Sequence, residues 1–159
     1  MNSPIIDAIN RALGKVLVVE DEANAWVGVK RELEKRGMQV DIAEDAQDAS
    51  RRLREQRYDA IVLDLLLPAG APSAPKGDED SIGSTYLGIA LFEELRRGTF
   101  ADQGTSSTVP VFVMTGVYDD HAKERVDRLK PECYFVKPLA PFVIAEHVKL
   151  HLEDLPHGE

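Results

Sequence analysis

Five short runs of this chain are apolar almost throughout, and the stretches between them space their apolar residues as helices do. "KVLVV" at 15–19 is short and rich in valine, which predicts a buried strand. "DEANAWVGVKRELEKRG" follows as a helix, with Trp26, Val29 and Leu33 on one face and Gly37 as its stop. "QVDIA" at 39–43 alternates as a second strand. "DAQDASRRLREQR" at 45–57 reads as a second helix, with Asp45 as N-cap and Ala46, Ala49 and Leu53 facing inward. "DAIVLD" at 59–64 is a third strand. The pattern then breaks: "PAGAPSAPKGDEDSIGS" at 68–84 is dense in Pro, Gly, Ser and acids and reads as a loop without a core of its own. Helical spacing resumes over 85–97 through Leu87, Leu91 and Leu95. A polar connector, "GTFADQGTSST", leads to a fourth strand at 109–115, a short polar helix at 119–130, a fifth strand at 133–137 and a last helix at 141–155.

The sum is (βα)5, an α/β chain whose strands are hydrophobic throughout, as a doubly wound parallel sheet covered on both faces requires. The expected boundaries are an N-terminal extension at 1–14, one domain at 15–155 with a loop insertion at 69–84, and a tail at 156–159. In open sheets of this kind, ligands bind outside the carboxyl ends of the strands.

Composition narrows the classes. The chain has 159 residues, 43% hydrophobic and 30% charged, as expected for one globular domain. Its net charge of −9 argues against direct nucleic-acid binding, which draws on Lys and Arg. No apolar stretch is long enough to span a membrane. The N-terminus lacks the pattern of a signal peptide. Cys133 is the one cysteine, which fits a reducing compartment, so the expectation is cytoplasmic.

"YDAIVLDLLLP" at 58–68 poses the chemical question, because Asp64 sits among six Ile, Val and Leu residues. A carboxylate there needs a partner. Glu20 and Asp21 follow the first strand, Thr115 ends the fourth and Lys137 ends the fifth, so the fold would bring all of them to one rim with Asp64. Three acids together call for a cation, and hard oxygen donors favour Mg2+. Lys137 adds a second positive charge and Thr115 a hydroxyl. A carboxylate placed so can act as a nucleophile in phosphoryl transfer.

In that order, "VLVVEDE", "VLDLLLP", "VMTG" and "YFVKPL" resemble the receiver domain of two-component response regulators, over about 15–152. The resemblance implies a flavodoxin-like sheet with strand order 2-1-3-4-5. It implies Asp64 as phosphoacceptor, and Mg2+ held by Asp21 directly, by Glu20 through water, by Asp64 and by the backbone carbonyl of Leu66. It further implies Thr115 as the hydroxyl that bonds the phosphoryl group, Lys137 as its ammonium partner, Tyr134 as the aromatic that turns inward with Thr115, and a cis Lys137–Pro138 bond. The implied partners are a histidine kinase or histidine phosphotransfer protein and a downstream protein target. The implied output face is helix 4, strand 5 and helix 5, which could also pair two copies as a homodimer. With nothing after the last helix, the expectation is a stand-alone receiver that acts as a phosphoacceptor rather than an enzyme.

Two features depart from that family: the long segment between Pro68 and Gly88, and the apolar pair Leu66 and Val117 near the phosphoryl position. The pair suggests poor positioning of an attacking water and hence a long-lived aspartyl phosphate. Rival readings are a docking module that works without phosphorylation and an aspartate-nucleophile phosphohydrolase. The latter would want a second aspartate where Leu66 stands. A flavin-binding protein would want a phosphate cradle where "EDEAN" repels phosphate. Singly, each residue has a plainer reading: "EDE" at 20–22 as acids at a helix N-terminus, Thr115 as a cap, Tyr134 as core, Lys137 as a surface charge. His147 and His151, four apart on the last helix, lack a third ligand. Cys133 reads as a small core residue, and "GDEDS" at 77–81 lacks EF-hand spacing.

Overall fold

The computed structural model describes residues 13–68, 70, 86–116 and 119–154. Five strands alternate with five helices. They are β1 (Gly14–Val19), α1 (Ala23–Lys35), β2 (Met38–Ala43), α2 (Ala46–Glu55), β3 (Ala60–Leu63), α3 (Leu87–Arg96), β4 (Val111–Thr115), α4 (Asp120–Asp127), β5 (Cys133–Val136) and α5 (Pro141–Asp154). The strands are all parallel, in the order β2-β1-β3-β4-β5.

Alternation along each strand builds two cores. Val16 and Val18 of β1, Ala60 and Val62 of β3, and Phe112 and Met114 of β4 join Val29 and Leu33 of α1 and Ile144 and Val148 of α5. The residues between them on the strands, such as Leu17, Val19, Ile61 and Val113, meet Leu53 of α2, Ile89, Phe92 and Leu95 of α3, and Val126 of α4. The central strands are therefore apolar on successive residues through their middles, Val16–Val19, Ala60–Leu63 and Val111–Met114, because both faces are covered.

The element ends have local causes. Asp45 caps α2 by accepting a hydrogen bond from the Asp48 amide at 2.7 Å, as its residue type predicts. Asp119 caps α4 through the His121 amide at 2.9 Å. β4 starts at Val111, two residues later than the apolar run suggests. Pro110 lacks an N–H, although its carbonyl still accepts from the Ile61 amide at 3.0 Å.

The connector after α3 departs from its reading as plain polar loop. Phe100 is buried in the core beside α2 and α3, and Thr105 is fully buried. The Thr105 hydroxyl donates to the Gln56 carbonyl at 2.8 Å and accepts from the Tyr58 amide at 3.1 Å. A Cβ on Gly104 would lie 1.9 Å from the Leu53 carbonyl oxygen, so the connector presses backbone to backbone against the end of α2. Arg96 fastens the other end by donating to the carbonyls of Leu129, Ser107 and Val109 at 2.7–2.9 Å. The loop insertion falls almost wholly outside the described residues, as do most of the N-terminal extension and all of the tail.

Candidate functional site

The site forms where β1, β3, β4 and β5 end. Glu20 follows β1, and its amide extends the ladder to the Ala43 carbonyl at 3.0 Å. Its side chain turns inward and is completely buried. Glu20 Oε1 accepts from the Glu22 amide at 3.2 Å and Oε2 from Lys137 Nζ at 2.5 Å. Asp21, the next residue, is exposed. Asp64 follows β3, 4% exposed, with its amide bonded to the Val19 carbonyl at 2.9 Å. Asp64 Oδ1 accepts from the Leu66 amide at 3.0 Å, and Oδ2 accepts from Lys137 Nζ at 2.9 Å.

Lys137 reaches this point because it directly follows β5. Its amide bonds the Thr115 carbonyl at 2.8 Å, and the next peptide bond, Lys137–Pro138, is cis as the sequence resemblance implies. One ammonium thus bridges two buried carboxylates. Carboxylate oxygens of Glu20, Asp21 and Asp64 all lie within 4.8 Å of one another. Three acids share one lysine, and the charge balance shows in Glu20. Burial first, and the negative charge of Asp64 second, push its carboxyl up to about 7 against the pull of the Lys137 hydrogen bond. Burial works against the charge of Lys137, but the hydrogen bonds it donates to Glu20 and Asp64 outweigh it and hold the ammonium above its usual range. A compact set of hard oxygen donors with surplus negative charge suits a divalent cation such as Mg2+.

The remaining predicted residues fall around this centre. Thr115 ends β4, fully buried, and stands opposite Val136 in the sheet register. Tyr134 is half-buried on β5 against the α2–α3–α4 core, with Lys123 Nζ 5.7 Å from its ring centre. Leu66 contributes its amide to Asp64. Val117 lies outside the described residues. His147 and His151 lie on α5, against Phe135 and Phe112 respectively.

The structure also adds contacts the sequence did not reveal. The amides of Glu22 and Leu66 each bond a site carboxylate, and backbone donors leave no mark in a sequence. Gly88 has a visible reason for being glycine. A Cβ there would lie 2.3 Å from the Asp64 carbonyl oxygen, and its amide bonds the Leu65 carbonyl at 3.0 Å. The first turn of α3 therefore braces the chain that carries Asp64. A groove of about 490 Å3 opens beside Lys137, lined by Asn24, Ala25, Met114, Pro138, Leu139 and Pro141 among others.

Known proteins resemble this chain in sequence and fold. Residues 16–71 match the family model of the response regulator receiver domain. The receiver domain of a signal transduction histidine kinase from Syntrophus aciditrophicus superposes with a TM-score of 0.66 at 26% identity, covering 92% of this chain and 95% of that one. The chain belongs to the response regulator receiver domains. Among curated relatives, this receiver is 28% identical over 135 residues to the phosphate regulon transcriptional regulatory protein PhoB of Escherichia coli, covering 85% of this chain and 50% of PhoB. It is 32% identical over 124 residues to the virulence transcriptional regulatory protein PhoP of Salmonella typhimurium, covering 78% of this chain and 45% of PhoP. The receiver spans about half the length of these relatives. Among the described residues, no helix is long and apolar enough to cross a membrane.

Proposed function

We propose that this receiver accepts a phosphoryl group on Asp64 from a histidine kinase or histidine phosphotransfer protein, in the presence of Mg2+, and passes the signal through a protein-binding face. The observation that carries the reading is the bridge from Lys137 to both Asp64 and Glu20 beside a third carboxylate. Asp21, Glu20, Asp64 and the Leu66 carbonyl are the ligands we assign to Mg2+. An ion held there would supply positive charge against the phosphoryl oxygens.

Asp64 supplies the nucleophile, one carboxylate oxygen forming the new O–P bond as the donor's bond to phosphorus breaks. The Leu66 amide and Lys137 fix the Asp64 carboxylate before any donor arrives. Lys137 has a further task, since its ammonium can follow the negative charge onto the phosphoryl oxygens. The Thr115 hydroxyl is assigned to a phosphoryl oxygen, and its movement toward that oxygen opens space for the Tyr134 ring to turn inward. The face made by α4, β5 and α5 would then change and present itself to a downstream target or to a second copy. Apart from gaining and slowly hydrolysing its own acyl phosphate, the receiver is assigned no turnover of an outside substrate. Leu66 stands where a phosphohydrolase of this kind would carry its second aspartate.

The test is incubation of the purified chain with acetyl phosphate, with and without Mg2+, followed by intact-mass analysis. The expected result is one added phosphoryl group that needs Mg2+ and disappears in Asp64→Asn. Continuous hydrolysis of an added phosphate ester over many turnovers would instead support the phosphohydrolase.

A further inference from the structure

The end of the molecule away from Asp64 carries a charge imbalance of the opposite sign. α3 runs about 12 Å from Gly88, beside the Asp64 backbone, to Arg96. There the C-terminal ends of α3 and α4 bound a groove of about 370 Å3, lined by Glu93, Arg96 and Arg97 on one side and by Arg125, Arg128 and Leu129 on the other. A second hollow of about 330 Å3 shares Arg96, Arg128 and Leu129 and continues to Ser107, Thr108 and Lys130. The acids on this lining do not match its cations. Glu93 serves two guanidiniums at once: its Oε1 accepts from Arg125 Nε at 3.1 Å and Nη2 at 2.5 Å, and its Oε2 stands 3.5 Å from Arg97 Nη2. Arg96 donates to backbone carbonyls, which orient it without cancelling its charge. Among the described residues, Arg128 and Lys130 pair with no acid. Glu132, the other acid on the lining, faces His151 Nδ1 at 3.5 Å, and Asp127, next to Arg128, is held by Lys123 at 2.8 Å.

We propose that this groove docks an acidic segment of a partner protein, with Arg125, Arg128 and Lys130 receiving its carboxylates. A planar guanidinium matches a carboxylate with two parallel hydrogen bonds, and Arg128 is exposed with its whole fork turned to no acid of the described chain. A single exposed ion pair contributes little, so recognition depends on several cations acting together. The helix dipoles favour cations at both C-termini, where Arg97 and Arg128 are the C-caps. That accounts for their placement, but not for the groove between them or for the deficit of acids along it. The chain as a whole carries a net charge of −9, so it repels an acidic peptide everywhere except where the sign is locally reversed. Nucleic acid is disfavoured by that net charge and by a lining with no aromatic ring on which a base could stack. Leu129, common to both hollows, offers an apolar contact between the charges. The groove opens between α3 and α4 rather than on the α4–β5–α5 face, and an occupant there leaves the approach to Asp64 open.

The test is fluorescence anisotropy of a fluorescein-labelled oligoglutamate titrated with the full chain at low salt. The expected result is saturable binding that weakens as salt is raised. Arg128→Glu should weaken it by about tenfold, and Arg128→Glu with Lys130→Glu by more, while Lys30→Glu on α1 should leave it unchanged. Circular dichroism and unaltered phosphorylation of Asp64 by acetyl phosphate check that each variant is folded. Three results would overturn the proposal: no binding by the folded wild-type chain at low salt, binding indifferent to both reversals, or displacement by an oligonucleotide of equal charge at lower concentration than by unlabelled oligoglutamate. A dimer in analytical ultracentrifugation that the reversals dissolve would also overturn it, by assigning the groove to a second copy of the chain.

Discussion

Lys137 is held by two carboxylates at once, and its replacement should separate two effects. In Lys137→Met the ammonium no longer competes for Glu20 and Asp64, so Mg2+ should bind more tightly, as isothermal calorimetry would show. Phosphorylation by acetyl phosphate should nonetheless slow by about 100-fold, the scale seen when one preorganised donor to a developing charge is removed. Glu20 carries the pH dependence. Its carboxyl is raised in the fold from an ordinary 4.5 to about 7. The folded state therefore favours the protonated form. That contribution to stability is full below pH 4.5 and is lost as pH rises through 7. Glu20→Gln, which never ionises, should accordingly stabilise the metal-free protein at pH 8, by about 1–3 kcal/mol in chemical denaturation, and change it little near pH 4. Mg2+ must meet an ionised Glu20, so its affinity for the wild-type chain should climb as pH rises through 7. From sequence, we propose that the apolar pair Leu66 and Val117 governs the lifetime of the acyl phosphate. Two apolar side chains should leave it standing for minutes or longer in the purified chain, and decay within seconds would remove that role from them.

The elements that hold the site are the sheet ends and the first turn of α3. Gly88 lets that turn approach the Asp64 backbone more closely than any side chain would permit. Gly88→Ala should cost about 1–3 kcal/mol in thermal or denaturant unfolding, as overpacking does, and should also slow phosphorylation of Asp64. Gly116→Ala, where a Cβ meets nothing within 4 Å, is the control for stability. Thr105→Val keeps the shape but leaves the Tyr58 amide and the Gln56 carbonyl without their side-chain partner. A loss of about 1–3 kcal/mol is expected.

Legibility in the sequence varies with the kind of element. The strands declared themselves because both faces of each central strand are buried. The α2 N-terminus declared itself because Asp45 carries its own cap. The connector at 98–110 did not, because its anchors are isolated residues, Phe100 and Thr105, set among polar ones. No periodicity marks a lone buried side chain. The strand-end residues Glu20, Asp64, Thr115 and Lys137 could be picked out because the fold class predicts where strand ends converge. Their bonding could not, since Lys137 and Glu20 lie 117 positions apart.

At the scale of the whole molecule, a parallel sheet gathers acids and a lysine from distant positions to one edge, while its two cores hold the helices against it. The fold alone would serve many chemistries, and the charge pattern at the strand ends is what selects this one. The central claim is that Asp64 is the residue that takes up phosphorus. It is tested most directly by phosphorylating the chain with acetyl phosphate and Mg2+, reducing the acyl phosphate with borohydride, and sequencing the peptides by tandem mass spectrometry. The account predicts that the reduced residue is Asp64 alone, whereas modification at any other residue, or none at all in folded protein, would contradict it.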